Sequence, residues 1–282
     1  MANVGRLIRV SVLSAAMGAA LVAGFADTKG AREVVVQAIL GDSIAPSQAR
    51  SHRYLREVVI PQRGVDLSAD RQIEIMNLWH ELWIWDDLSY LGVHIQKNPP
   101  DLFMMQQIIH EIRPDYIVET GTLHGGSAVY WAHVLDGLGL TESRIITVDI
   151  EDQTQEAAKQ PLWQEYVEFI HADSVAPSTI AEVKRRLAGG GTVLVVLDSL
   201  HTAEHVQREM ELYGELVTPG SYMVVEDTNI DGVPVLPGYG PGQMAGVIDY
   251  LDTGGDAKFE QDFSREKLLF TYNPGGWLRR KR

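Results

Sequence analysis

Short apolar runs that end in an acidic residue recur along this chain. Three of them are residues 145–148 before Asp149, 193–197 before Asp198 and 222–225 before Glu226. Stretches with helical spacing of apolar residues separate these runs, for example over 203–216. This alternation is typical of a parallel, doubly wound sheet, in which the functional site lies at the carboxyl ends of the strands. We therefore expect an α/β fold with a doubly wound, mostly parallel sheet.

The composition limits the kinds of partner and site. The 282 residues include 24 Lys and Arg against 38 Asp and Glu, which gives a formal net charge of −14. Such a chain has no general attraction for a phosphate backbone, so we expect no nucleic-acid partner. Cysteine is absent, which excludes disulfides, thiolate zinc sites, iron–sulfur clusters and a cysteine nucleophile. Any metal must be bound by oxygen or imidazole.

We expect three parts along the chain: an apolar leader over residues 1–26, a helical appendage over 27–93 and the sheet domain over 94–282. The leader contains no acid and only two bases. Its apolar run is slightly shorter than the roughly 20 residues of a membrane-spanning helix. Three interpretations stay open for it: a cleaved signal, a membrane-associating helix and a soluble Ala-rich helix.

The appendage contains a cluster of aromatic residues. Apolar residues recur at helical spacing over 71–88, so Trp79 and Trp83 would share one helix face, with Trp85 turned away from them. Core packing or contact between subunits explains such aromatics better than a ligand cage does. Formation of a homo-oligomer therefore stays open.

A glycine-rich turn follows the first strand of the sheet domain, with the sequence E-T-G-T-L-H-G-G-S over residues 119–127. Leu123 stands where the dinucleotide pattern G-x-G-x-x-G requires glycine, and an acid before the first glycine would repel a pyrophosphate. The acid suits a cationic ligand such as the sulfonium and amino groups of S-adenosylmethionine (SAM). The candidate cofactor-binding residues of this turn are Glu119, Gly121, Thr122, Gly125 and Ser127.

Two later strand ends extend the predicted cofactor site. Asp149 closes the second strand, where a carboxylate can accept hydrogen bonds from both ribose hydroxyls. Asp173 follows the next strand and is the candidate for contact with the adenine edge.

Three carboxylates close two further strands. Asp198 ends one strand, and Glu226 and Asp227 end the next. Acids at one sheet edge repel one another unless a cation neutralises them, and oxygen ligands favour Mg²⁺, with Mn²⁺ as an alternative. Pairing with Lys or Arg is disfavoured because the bases nearest in sequence fall in helical segments. His201, three residues after Asp198, is the candidate general base.

Five ordered motifs resemble the cephalosporin hydroxylase family, which includes rhamnosyl O-methyltransferases. They are E-T-G-T-L-H-G-G-S, V-D-I, L-D-S-L-H-T-A-E-H-V, V-V-E-D-T-N and F-T-Y-N-P-G-G-W-L, within about residues 94–279. The resemblance implies a class I SAM-dependent methyltransferase fold of the Rossmann-like type. It also implies SAM on the glycine turn and Asp149, a metal on Asp198, Glu226 and Asp227, and proton acceptance by His201. Catechol-type relatives commonly have Asn at the position of Asp227, so the resemblance favours the sugar-modifying branch.

These features predict SAM-dependent and divalent-metal-dependent O-methylation of a hydroxyl on a sugar, a sugar-like natural product or a glycolipid. Two alternatives stay open: a SAM-binding accessory component of an antibiotic hydroxylation or methoxylation pathway, and a nicotinamide-dependent oxidoreductase. Leu123 counts against the oxidoreductase. Because SAM is a cytosolic cofactor, we expect a cytoplasmic catalytic domain, with membrane association through residues 5–26 as an open addition.

Overall fold

A seven-stranded sheet organises the structure, a computed structural model that describes residues 46–62 and 69–282. The strands in chain order are β1 (Ser89–Tyr90), β2 (Val93–His94), β3 (Tyr116–Thr120), β4 (Arg144–Asp149), β5 (Val167–His171), β6 (Val193–Leu197), β7 (Tyr222–Val225), β8 (Phe259–Gln261) and β9 (Trp277–Arg280). The large sheet has the order β5-β4-β3-β6-β7-β9-β8, and β1 and β2 form a separate hairpin. In the large sheet β9 pairs antiparallel with both β7 and β8, and the other neighbouring strands pair in parallel. The predicted α/β fold with a mostly parallel sheet is confirmed.

Helices flank the sheet. They are α1 (Pro46–Tyr54), α2 (Ala69–Glu81), α3 (Pro99–Ile112), α4 (Gly126–Gly137), α5 (Pro161–Tyr166), α6 (Pro177–Arg186), α7 (Ala203–Tyr213) and α8 (Gln243–Asp252). Helix α1 continues into a π-helical turn, Leu55–Val59, and a short helical piece, Ile60–Gln62. Four of these helices, α1, α3, α5 and α6, begin with proline, which fits the first helical turn because its missing N–H would have no partner there.

The core lies on both faces of the sheet. Neighbouring residues of one strand belong to opposite layers: Ile117 packs in the layer of α3 and α4, and Val118 packs in the layer of α6 and α7. The same alternation separates Ile145 from Ile146 on β4. A strand covered on both faces must be apolar at every position, which explains the continuous apolar runs in the sequence.

The strand register places the predicted site residues at one edge of the sheet. The Asp198 amide donates to the Thr120 carbonyl at 3.0 Å, and the Glu226 amide donates to the Leu197 carbonyl at 3.0 Å. Each acid therefore continues the hydrogen bonding of its own strand by one residue. The strand order reverses between β3 and β6, and ligands of open α/β sheets bind at such a switch point.

The aromatic cluster differs from the prediction of one helix over 71–88. Helix α2 ends at Glu81, and Trp83 adopts a left-handed backbone with φ of 57°. Trp83 stacks on Trp85 at 5.4 Å, whereas Trp79 packs against Phe270 at 5.2 Å. The prediction that Trp79 and Trp83 share a helix face is therefore wrong. Trp83 is 63% exposed, so packing of its side chain would add little to the stability of a helix extended to that residue.

The predicted leader and appendage are only partly covered by the described residues. The leader over 1–26 and the start of the appendage lie outside the described residues. Ser47–Arg282 forms one compact unit, in which Leu55 and Val59 pack with Met244 and Ile248 of α8. In the described part of the chain, every helix is too short or too polar to cross a membrane.

Candidate active site

A cavity of about 500 Å³ lies at the switch point between β3 and β6. Its wall includes the glycine turn, the ends of β4 and β6, and the loop that contains Lys97. This size is sufficient for a small cofactor together with part of a second molecule. This cavity is therefore the candidate active site.

Gly121 allows the glycine turn to approach the end of β6. Its φ is +83°, and a Cβ atom there would lie 1.8 Å from the carbonyl oxygen of Asp198. Any larger residue would thus have to displace the backbone that supports Asp198. Gly121, Thr122 and Ser127 line the cavity.

Gly125 has a different role from the cavity-lining residues of the turn. It adopts φ of +82° immediately before α4, and a Cβ atom would lie 2.6 Å from the Trp163 ring. Gly125 is not among the residues that line the cavity. It allows α4 to begin close to α5, and its contact with a cofactor stays a prediction.

Glu119 lies beneath the turn and does not line the cavity. One carboxylate oxygen accepts from the Trp131 indole at 3.1 Å, and the other accepts from the Thr147 hydroxyl at 2.8 Å. Burial raises the pKa of Glu119, while the Lys97 ammonium lowers it. The structure therefore gives Glu119 protein partners, and its contact with a cofactor stays a prediction.

Asp149 and Asp173 both line the cavity. The Asp149 carboxylate accepts from the Leu123 amide at 2.8 Å and from the Glu151 amide at 3.0 Å. Asp173 accepts from the Val175 amide at 3.0 Å. These backbone bonds fix the direction of both carboxylates, and each carboxylate retains further lone pairs for a ligand.

The three strand-end acids lie next to two basic side chains, His201 and Lys97. Asp198 and Asp227 face His201, whose Nε2 lies 4.0 Å from Asp198 Oδ1 and 3.4 Å from Asp227 Oδ2. Asp198, His201 and Asp227 each offer a ligand atom, and these atoms lie within 4.8 Å of one another. Such a group of oxygen and imidazole ligands fits a divalent cation.

Lys97 occupies the other side of the acids. Its ammonium donates to Glu226 Oε2 at 2.7 Å and also contacts Asp198 Oδ2. The prediction that these acids lack a Lys or Arg partner is therefore wrong. Lys97 comes from the loop before α3, far from both acids in sequence, and nothing in the periodicity of that loop indicates where it lies. The single cue available in the sequence is a lysine at the predicted start of the sheet domain.

Burial and mutual repulsion perturb the acids. Burial raises the pKa of Glu226 well above its ordinary range, against the opposing effect of Lys97. Burial also raises the pKa of Asp227 to about 6, while His201 lowers it and Asp198 raises it. A cation close to these groups would relieve both effects.

A second group of polar side chains, centred on His205, lies further along the cavity wall. His205 Nε2 lies 3.1 Å from the Ser199 hydroxyl and 3.2 Å from the Ser174 hydroxyl. A hydrogen bond from the His205 imidazole to the carboxylate of the fully buried Glu209 raises the pKa of His205. His205 lies in the first turn of α7, four residues after His201.

Comparison with known proteins decides the family. The sequence profile of the rhamnosyl O-methyltransferase/CmcI family matches residues 83–281. The chain belongs to this family. Rhamnosyl O-methyltransferase of Mycobacterium tuberculosis (strain H37Rv) is 36% identical over 200 residues, which are 69% of this chain and 79% of the relative. The Mycobacterium leprae protein of the same name is 36% identical over 204 residues, which are 71% of this chain and 86% of that protein.

A solved CmcI structure supports the fold of this family member. The structure, titled cmcI-D160 Mg-SAM, has a TM-score of 0.55 and 18% sequence identity, and the match covers 70% of this chain and 78% of that chain. The predicted resemblance to the cephalosporin hydroxylase and rhamnosyl O-methyltransferase family is confirmed, as is the class I methyltransferase fold.

Proposed function

We propose that this member of the rhamnosyl O-methyltransferase/CmcI family is a SAM-dependent and divalent-metal-dependent O-methyltransferase whose acceptor is a hydroxyl of a sugar or a glycolipid. One observation carries the proposal: Asp198, His201 and Asp227 come together on the wall of the cavity that the glycine turn lines. The name shared by the 36% identical relatives supports methyl transfer to a rhamnosyl group.

The glycine-turn half of the cavity is the proposed SAM site. Gly121, Thr122 and Ser127 present backbone and hydroxyl groups beside the start of α4, and Asp149 faces the same space. Asp149 would accept from the ribose hydroxyls, and Asp173 would contact the adenine. Glu119 contributes negative charge from beneath the turn, and Gly125 keeps α4 in position.

The other half of the cavity is the proposed metal and acceptor site. Asp198 and Asp227 would hold Mg²⁺ or Mn²⁺, with Glu226 adjacent to them, because these carboxylates supply the hard oxygen ligands that such ions prefer. A bound ion would lower the pKa of an acceptor hydroxyl that it contacts.

His201 would move the proton. Its Nε2 faces the two acids at the cavity wall, so it can accept the hydroxyl proton while the acceptor oxygen takes the methyl group from the sulfonium. The cavity walls would align the methyl group with that oxygen. Asp227, 3.4 Å from Nε2, would stabilise the protonated imidazole.

Two further functions compete with this proposal. An accessory protein would bind SAM without turnover, and a nicotinamide-dependent oxidoreductase would bind NAD instead. Calorimetric titration of the full chain with SAM and with NAD separates the oxidoreductase, because our proposal expects heat with SAM alone. Release of S-adenosylhomocysteine in repeated turnovers separates the accessory protein.

The metal is tested with methyl-labelled SAM and a panel of rhamnosyl glycolipids and free deoxysugars. We expect label transfer that EDTA abolishes and MgCl₂ restores, and loss of transfer in Asp198→Asn. Asp152→Asn is the matched control, because Asp152 is an acid outside the cavity lining. Full activity of Asp198→Asn, or full activity in EDTA, would contradict the metal role.

The role of His201 needs a separate measurement, since its position also suits a metal ligand. We expect His201→Ala to reduce turnover strongly while its affinity for Mn²⁺ stays within about threefold of the wild-type value, the change expected from losing only a neighbouring group. Loss of both turnover and Mn²⁺ affinity would instead make His201 a ligand.

We also propose that catalysis takes place in the cytoplasm, where SAM is available, with residues 5–26 as the segment that could associate with a membrane. Cell fractionation of the full chain and of a chain without these residues tests both statements. Size-exclusion chromatography with light scattering tests the homo-oligomer.

A further inference from the structure

The ammonium of Lys97 is almost completely buried among acids. Its side chain is 6% exposed, and its two ion-pair partners, Asp198 and Glu226, are 17% and 7% exposed. The carboxyl groups of Asp198, Glu226 and Glu119 all raise the pKa of Lys97, against the opposing effect of burial. Among the residues that the structure describes, no other Lys or Arg forms an ion pair with these three acids.

The loop that contains Lys97 is anchored to the segment that also anchors Asp227. The side-chain amide of Asn98 donates to the Phe270 carbonyl at 3.1 Å, and the Tyr272 amide donates to Asp101 at 2.7 Å. One residue later, Asn273 accepts from the Asp227 amide at 3.0 Å. The backbone that follows Lys97 is thus anchored to the same segment that holds Asp227.

We propose that Lys97 is the built-in counter-ion of this acidic site and that a divalent cation competes with it for Asp198 and Glu226. The inference rests on the metal site of the proposed function and adds a residue that controls loading of that site. Asp198 connects the two cation positions, because Oδ2 contacts Lys97 and Oδ1 lies 4.0 Å from His201 Nε2.

Charge explains why such a counter-ion is needed. Buried carboxylates without a partner destabilise a fold, and removing one member of a buried ion pair leaves its partner uncompensated. With Lys97 in place, the site stays intact when no metal is bound. The same positive charge opposes a divalent ion a few ångströms away, which lowers the affinity for that ion.

The variant that tests the competition is Lys97→Met, which keeps most of the side-chain volume and removes the charge. At pH 8, we expect it to bind Mn²⁺ at least about tenfold more tightly than the wild type, measured by calorimetry and by the electron paramagnetic resonance signal of free Mn²⁺. In EDTA we expect Lys97→Met to melt at a lower temperature than the wild type. Added MgCl₂ should raise the melting temperature of Lys97→Met more than that of the wild type.

Two controls separate charge from other effects of the substitution. Lys97→Arg keeps the charge and should bind Mn²⁺ with an affinity close to that of the wild type. Lys159→Met removes the lysine of an exposed ion pair with Glu156 and should change neither readout.

The outcomes distinguish this inference from the proposed function. If the wild type binds Mn²⁺ and Lys97→Met binds it equally or more weakly, the competition is refuted while the metal site stands. If neither protein binds Mn²⁺ or Mg²⁺, the metal site of the proposed function fails as well.

A measurement on the wild type covers the case in which Lys97→Met does not fold. Brief reductive methylation with formaldehyde and sodium cyanoborohydride, followed by peptide mass spectrometry, reports whether the Lys97 amine is accessible. We expect labelling of Lys97 to increase at least about threefold when Mn²⁺ is bound, as the ion pair is replaced, while labelling of Lys159 stays constant. Unchanged labelling of Lys97 at saturating Mn²⁺ would refute the competition.

Discussion

Replacing Gly121 by alanine tests whether the contact between the glycine turn and β6 supports the site. The new Cβ atom would lie 1.8 Å from the Asp198 carbonyl oxygen and 2.5 Å from its carbon. Because real Cβ contacts are never so short, the ends of β3 and β6 would have to separate. Asp198 would then move away from His201 and Lys97.

Two contributions give the expected loss of stability. Placing alanine at a left-handed φ costs about 1–2 kcal/mol. The backbone shift forced by overlap in a packed region adds about 1–3 kcal/mol, so the total is about 2–5 kcal/mol. Gly139→Ala is the matched control, because its φ is +68° and no atom lies within 4 Å of a new Cβ. Gly139→Ala should be destabilised only by the cost of placing alanine at a left-handed φ.

Urea unfolding of the wild type, Gly121→Ala and Gly139→Ala measures both losses of stability. Mn²⁺ titration of the same proteins measures the effect on Asp198. We expect Gly121→Ala to be less stable than Gly139→Ala and to bind Mn²⁺ more weakly. Equal free energies of unfolding for the two variants would refute the reasoning, since the overlap would then cost nothing.

Three other changes have defined outcomes. Asp149→Ala should weaken SAM binding by about 1.5–3 kcal/mol in calorimetry, as for a lost hydrogen bond to a charged group, and Asp152→Ala should not; equal affinities would remove Asp149 from the SAM site. Burial raises the pKa of Asp101 from 3.8 to about 7, so the stability that its protonated form contributes is complete below pH 3.8 and is lost as the pH rises through about 7. Urea unfolding of Asp101→Asn should therefore lack this component, and a difference from wild type that is independent of pH would contradict it. Asp231→Ala removes the acceptor for two backbone amides of the loop over 231–242, and limited proteolysis should then cleave that loop faster than in the wild type.

The sheet and its strand-end acids could be predicted because their causes are local. A strand buried on both faces requires a continuous apolar run, so Val193–Leu197 is visible in the sequence, and the residue after it is the acid at the sheet edge. Parallel strands bring such ends together, which relates Asp198 to Glu226 without any structure.

Lys97 and Glu119 could not be placed in this way. The distance between Lys97 and Glu226 depends on how the loop before α3 is anchored to residues 270–273, and neither segment has a periodic pattern. Glu119 precedes the turn as predicted, but its side-chain direction depends on partners from β4 and α4. Sequence neighbours indicate which residues share an element, whereas the ion pairs of Lys97 join it to acids at the ends of two distant strands.

The position of β9 has a consequence for synthesis of the chain. β9 comes after all the other described strands in sequence, yet it lies inside the sheet between β7 and β8. While the ribosome adds the preceding residues, β7 has an open side with unpaired backbone groups that can recruit a strand from another nascent chain. Low temperature or chaperone supply during expression should therefore determine how much native protein is recovered.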